Sequence, residues 1–266
     1  MCIRDRAWTG HGVVGYDEAV NRHDGTYKFH AGLHDGGNKT IFGIEANWDG
    51  PGTISEICRG SGQRATATFI ATKLWRYFIN DAPPAHAIDQ LANAFVWSEM
   101  SIKALVRALL LRPEFWAPQN RQALVKSPSH YAVDLHRCIN YEFKGTEAHR
   151  FMGPMGQVLF DPPNVDGWGT NEYWLSTATM WGRAEFAANR RWEVTGDGIE
   201  FLQELREMEA VEGTAHLLRT FRLHDVSSST RSAIETWFGT TKESEPWALA
   251  PVGISVTALC PEFQVT

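Results

Sequence analysis

Apolar residues fall at helical spacing over most of this chain. Ile70, Leu74, Tyr77 and Phe78 stand at i, i+4, i+7 and i+8, one stripe of an amphipathic helix. Asp81-Ala-Pro-Pro84 stops that helix, and Pro84 opens a second with the stripe Ile88, Leu91, Ala92 and Phe95. Ser101 is the N-cap of a third, with Ile102, Leu105, Val106, Leu109 and Leu110 inward and Pro113 as its stop. Ser127-Pro128 starts a fourth, lined by Tyr131, Leu135, Cys138 and Ile139. Helix resumes after Ser176 and Thr177. Asp197 with Glu200 three residues on is a capping-box pattern ahead of Phe201, Leu205 and Met208. Residues 7–60 are glycine-rich and read as short extended pieces. Within them Tyr27–His30 and Lys39–Phe42 predict a β-hairpin whose long tip holds Gly32, Gly36 and Gly37. The class is mainly α, a multi-helix bundle with a small β-hairpin near the N-terminus.

An internal repeat runs through the helices. Leu74-x-Arg76-x-Phe78 recurs as Leu217-x-Arg219-x-Phe221, and Phe95 and Phe238 each follow at the same distance. Leu111-Arg-Pro113-Glu114-Phe115 then recurs as Leu259-Cys-Pro261-Glu262-Phe263. The pattern predicts a three-helix module used twice, at 61–142 and 175–266, separated by an irregular Pro/Gly-rich segment at 143–174. Two copies are too few for a solenoid, so a pseudo-symmetric bundle is expected, with 7–266 as one truncated domain.

Composition adds exclusions. A net charge of −6 gives no basic excess for nucleic acid or an anionic membrane surface. No apolar run approaches the roughly 20 residues that cross a bilayer. The four cysteines lie far apart with no CxxC pair, which argues against a disulfide scaffold or a zinc knuckle. Eleven tryptophans are expected mainly as core packing. The first six residues, Met-Cys-Ile-Arg-Asp-Arg, read as a translated sequencing-library adaptor, a non-native leader. The chain is then a fragment whose native net charge is −7.

Few residues assemble into a recognisable catalytic motif, and neither HExxH nor GxSxG occurs. Gly10-His-Gly12-Val-Val-Gly15 matches a dinucleotide fingerprint as a string but lacks the flanking strand and helix that give the motif force. His34-Asp35 ahead of Gly36-Gly37 could ligate a metal; the competing reading is loop chemistry, with Asp35 accepting from nearby backbone amides. Asp161, Asp166 and Trp168 are a second polar set in the irregular segment. No cofactor and no assembled metal site are expected. Glu114 and Glu262 could be paired acids, but their repeated Pro-Glu-Phe setting favours a structural role, bonding local amides or the neighbouring Arg76 and Arg219.

Several strings together resemble the bacterial domain of unknown function 1800 family. They are Ala7-Trp8-Thr9-Gly10, His34-Asp35-x-Gly37-x-Lys39-Thr40-x-x-Gly43, Lys73-Leu74-Trp75-Arg76, Lys126-Ser127-Pro128, and Met155-Gly156-Gln157-x-Leu159-Phe160-x-Pro162-Pro163-Asn164-Val165-x-Gly167-Trp168, then Pro261-Glu262-Phe263-Gln264. The resemblance implies a longer protein of which this is the C-terminal part. It also implies export in many members, to the periplasm or cell exterior, and an adjacent gene for an alkaline-phosphatase or sulfatase-like protein. It carries over no catalytic residue.

Two functions compete. One is a non-catalytic exported helical protein binding a protein partner or a surface polymer, and it expects the hairpin loop and the Gly153–Trp168 segment to form one exposed surface. The other is an extracytoplasmic metal-dependent hydrolase acting on a polymer, with His34, Asp35, Asp161 and Asp166 drawn together.

Overall fold

The computed structural model describes residues 3–17, 22–140, 147–190 and 204–266. It divides into two compact units: Met1–Phe78 with Ala82–Phe115, and Ile79–Asp81 with Trp116–Thr266. The capping-box pattern at Asp197 and Glu200 lies outside the described residues.

The first unit opens with α1 (Ile3–Ala7) and an antiparallel hairpin of β1 (His11–Asp17) and β2 (Arg22–Phe29). A second, smaller hairpin joins β3 (Lys39–Ile41) to β4 (Ile44–Ala46). The expected pairing of Tyr27–His30 with Lys39–Phe42 is therefore corrected. Tyr27 pairs with Val13, and Lys39 with Ala46. The reason is turn chemistry: Phe42 (φ 51°) and Gly43 (φ 78°) form a two-residue turn with both central residues left-handed, which closes β3 on its immediate neighbour. The Gly10–Gly15 string accordingly leads into and along a strand of a hairpin instead of a strand-to-helix turn.

Helices α2 (Gly50–Arg59), α3 (Gln63–Phe78), α4 (Ala85–Trp97) and α5 (Ile102–Leu110) complete this unit, followed by the single turn α6 (Pro113–Trp116) at its junction with the second. The α2 helix was not expected from its glycines. Its start is nonetheless marked: the Asp49 carboxylate accepts from the Gly52 amide at 2.7 Å, with a proline in the first turn. The α4 stripe is buried as expected. On α3 the buried stripe is Ala67, Ala71 and Trp75, while Tyr77 is exposed. Apolar residues on two faces made the helix phase ambiguous, and α3 packs against α4. Ser101 caps α5 through the Ala104 amide, as predicted.

The second unit contains α7 (Pro128–Cys138), α8 (Glu147–Met152), α9 (Thr177–Arg190), α10 (Ala210–Thr220), α11 (Ser228–Ser244) and α12 (Leu249–Ala258). Its core gathers Tyr131 and Leu135 of α7, Phe186 of α9, Leu217 of α10, Phe238 of α11, Ile254 of α12, and Phe263. Helix α12 is buried on nearly all sides, consistent with its uniformly apolar sequence. Tyr131 donates to the Ala258 carbonyl at 3.1 Å, and burial pushes its phenol well above the ordinary value. A short antiparallel bridge, Val125 with Val265, ties the start of this unit to its end.

The tryptophan expectation holds in part. Trp75 and Trp174 are buried, but Trp97, Trp116 and Trp181 are largely exposed. Among the described residues, no helix is long and apolar enough to cross a membrane.

Candidate functional sites

In the first unit, the segment from His34 to Lys39 is a loop built around its own polar side chains. Arg6 donates to Asp35 through Nε (2.6 Å to Oδ2) and Nη2 (3.1 Å to Oδ1), and the Gly37 amide donates to Oδ1 at 2.9 Å. These donors, the Arg6 guanidinium first, hold the Asp35 carboxyl well below the usual carboxylate range. Arg6 belongs to the stretch read above as a leader. Thr9 Oγ1 accepts from the Asp35 amide at 2.7 Å, and His34 Nδ1 lies 3.0 Å from the Thr9 carbonyl. Lys39 is 1% exposed. A buried ammonium needs acceptors for its protons, and Lys39 Nζ donates to the carbonyls of Asp35 and Gly37 and to Asn47 Oδ1. Lys39, present in the motif but not singled out as a site residue from the sequence, fixes the loop together with Arg6, Thr9 and Asp35. Trp8, His11, Tyr27 and Phe29 cluster nearby, with Tyr27 Oη 2.8 Å from His11 Nδ1.

In the second unit, the irregular segment divides into an anchored base and a projecting tip. Met152 and Met155 are buried, and Gln157 Oε1 accepts from the Ser129 amide at 2.9 Å. Gly156 (φ 96°) and Gly182 allow the base to press against α9; a Cβ at Gly182 would lie 2.6 Å from the Pro154 carbonyl oxygen. The tip, Phe160–Asp166, is exposed throughout: Phe160 is 97% accessible and Val165 is fully so. It keeps local order through the Asp161 amide donating to the Val158 carbonyl (3.1 Å) and the Asp166 amide donating to Asn164 Oδ1 (2.8 Å). Trp168 is half-buried. Asp161 and Asp166 share this loop, whereas His34 and Asp35 belong to the other unit. Among the described residues no three His, Cys, Asp or Glu side chains gather in a metal-binding arrangement.

Glu114 and Glu262 have structural settings. Glu114 accepts from Arg112 Nε (3.1 Å) and Nη2 (2.7 Å), which with the field of His86 at the start of α4 lowers its pKa against the effect of burial. Burial alone would raise the pKa of Glu262, but the Ser227 amide (2.9 Å) and Thr230 Oγ1 (3.0 Å) at the start of α11 outweigh it and bring the carboxyl below its ordinary value. Arg76 and Arg219 are exposed on the last turns of α3 and α10.

A cleft of about 250 Å³ in the second unit was invisible in the sequence. Its polar lining includes Lys126, Asp134, Cys138, Arg222 and Glu262, and its apolar lining Phe221, Phe263 and Val265. Lys126 is 6% exposed, pairs with Asp134 at 3.0 Å, and lies over the Phe263 ring at 4.0 Å. Burial pushes the Cys138 thiol up to about 11. Lys126 of the Lys126-Ser127-Pro128 string and Glu262 and Phe263 of the Pro261–Gln264 string contribute to its walls.

Comparison with known proteins leaves the family as the informative result. No curated protein and no solved structure matches the chain. A family model does match, over residues 5–265, so that it takes in the His34–Lys39 loop, the Phe160–Asp166 tip and the cleft alike. The chain belongs to the family described as protein of unknown function, DUF1800.

Proposed function

We propose that this chain is a non-catalytic binding module of a longer exported protein, and that the Phe160–Asp166 tip is its docking element. The observation that carries the reading is a locally ordered loop, anchored by buried methionines, that leaves a phenyl ring and an isopropyl group almost wholly in water. Exposed apolar groups on an ordered loop are what interface cores are made from. A protein partner is favoured over a sugar polymer. The tip offers one phenyl, one valine and two prolines, and lacks the array of flat aromatic faces and polar groups that carbohydrate stacking uses. The partner proposed is the phosphatase- or sulfatase-like protein encoded beside members. The hydrolase reading has less support, because the Asp35 carboxylate already accepts from Arg6 and Gly37, and one nitrogen of His34 is engaged by Thr9.

Capture of the purified neighbouring protein by immobilised chain tests this. A variant carrying Phe160→Ser and Val165→Ser should lose capture while melting at the same temperature, since both side chains are exposed. No capture by the unaltered chain, or equal capture by the variant, overturns the reading.

We also propose that the two three-helix sets are duplicates. The support beyond the spacing is positional. Glu114 is held by Arg112, which also donates to Gln90 of α4 at 2.9 Å, and Glu262 accepts from the first residues of α11. Each glutamate is thus tied, directly or through an arginine, to the second helix of its own set.

A further inference from the structure

The backbone of the docking tip is set so that one ring stands in water. The Asp161 amide donates to the Val158 carbonyl at 3.1 Å and closes a turn whose third residue is Phe160, in the left-handed region at φ 64°. That position of a turn favours glycine or asparagine, and the conformation is unfavourable for a bulky side chain. The far side of the tip is closed in the same way. The Gly167 amide donates to the Asn164 carbonyl at 3.1 Å, with Gly167 at φ 87°. No packing within the described residues is served by the conformation of Phe160, because its ring is 97% accessible. Backbone strain of this kind clusters at ligand clamps and binding loops. A ring fixed in position before its partner arrives also leaves less freedom to lose on binding.

The charges around this ring are of one sign. Between Arg150 and Arg183 the chain has no lysine or arginine, while Asp161, Asp166 and Glu172 are all exposed there. Asp161 follows Phe160 and Asp166 follows Val165, so each exposed apolar side chain has a carboxylate beside it in the sequence. Neither of these two carboxylates is engaged in an ion pair or a hydrogen bond among the described residues.

Docking that buries Phe160 and Val165 draws both carboxylates out of bulk water. Without cations opposite, that desolvation opposes binding. We propose that the partner receives the tip in an apolar socket rimmed by lysine or arginine, with Phe160 as the inserted anchor and Asp161 and Asp166 meeting the rim. This rests on the docking role given to the tip above and adds the chemistry of the surface that receives it. The two parts have different kinetic signatures. Charges at a rim act on the rate of encounter and are screened by salt, whereas a buried aromatic anchor acts on the rate of dissociation.

Surface plasmon resonance of the purified phosphatase- or sulfatase-like neighbour over the immobilised whole chain, at low and high NaCl, tests this. For the unaltered chain the association rate should fall by about fivefold or more at high salt. A variant carrying Asp161→Asn and Asp166→Asn should associate about fivefold more slowly at low salt, lose most of the salt dependence and keep its dissociation rate. Phe160→Gly, chosen because glycine fits the left-handed backbone, should dissociate about tenfold faster with little change in association. An asparagine variant with the parent's association rate and salt dependence overturns the cationic rim. A Phe160→Gly variant that dissociates like the parent overturns the anchor. In either case, loss of binding by the Phe160→Ser, Val165→Ser variant leaves the docking role standing. Binding by that serine variant equal to the parent's, or no binding by the unaltered chain, removes the docking role and the socket together.

Discussion

Glycine to alanine at position 182 of α9 tests how the docking loop is seated. In an exposed helix interior this substitution stabilises by about 1 kcal/mol, through restricted backbone freedom in the unfolded chain. At Gly182 the new methyl would meet the Pro154 carbonyl oxygen at 2.6 Å, its carbon at 2.7 Å and the Met155 amide nitrogen at 2.9 Å. All three are backbone atoms, so no rotamer change relieves the clash. Overpacking of this kind costs about 1–3 kcal/mol, occasionally more. Three backbone contacts under 3.0 Å put the cost in the upper part of that range, about 2–3 kcal/mol, so the clash wins and the net effect is a loss of about 1–2 kcal/mol, or roughly 3–6 °C in melting temperature for a unit of this size. The control is the same substitution at Gly239 of α11, where the methyl would meet only the Ala210 Cβ, at 3.8 Å. That variant should gain up to about 1 kcal/mol. Thermal and urea unfolding followed by circular dichroism reads both. A Gly182→Ala protein that melts at or above the unaltered chain would refute the packing of residues 153–155 on α9.

Three further outcomes follow from the geometry. Replacing Arg183 by methionine removes a buried charge but leaves the Lys126 carbonyl and Gln264 Oε1 without their donor. The balance should be a loss of about 2–4 kcal/mol in urea unfolding, and a variant as stable as the parent contradicts a structural role for Arg183 in holding residues 126 and 264. Cys138, with its thiol near 11, should have about a thousandth of its population ionised at pH 8 and react with iodoacetamide far more slowly than free cysteine at that pH, as read by mass spectrometry. Glu262 has a carboxyl below its ordinary value, so its stabilisation is present above the unfolded value of about 4.3 and is lost as pH falls through the lower folded value. The melting temperature of Glu262→Gln should therefore fall less steeply than the parent's over that acid range; parallel curves contradict the assignment.

The helices were legible in the sequence because their boundaries carry local chemistry. Ser101 and Ser127 cap α5 and α7 as read, and the Ile88–Phe95 stripe of α4 is core. Where local signals conflicted, tertiary context decided. On α3 the buried stripe is Ala67, Ala71 and Trp75 in place of the Ile70–Phe78 stripe, and at Tyr27 a competing turn at Phe42-Gly43 removed the anticipated partner strand. The loop role of Asp35 was readable from the two glycines behind it, but the bidentate Arg6 contact joins residues 29 apart and has no sequence period. The cleft had no signature at all. Its walls meet through the Val125–Val265 bridge, and Lys126, Arg222 and Glu262 become neighbours only when the ends of the unit pair.

The Phe160–Asp166 tip is the proposed interface. Hydrogen–deuterium exchange of the chain, alone and with the purified phosphatase- or sulfatase-like neighbour, measures it without any substitution. Slowed exchange of amides within 158–168 on adding the neighbour is the predicted result. A complex that protects other segments and leaves 158–168 unchanged, or no change anywhere at saturating partner, contradicts the binding role given to this loop.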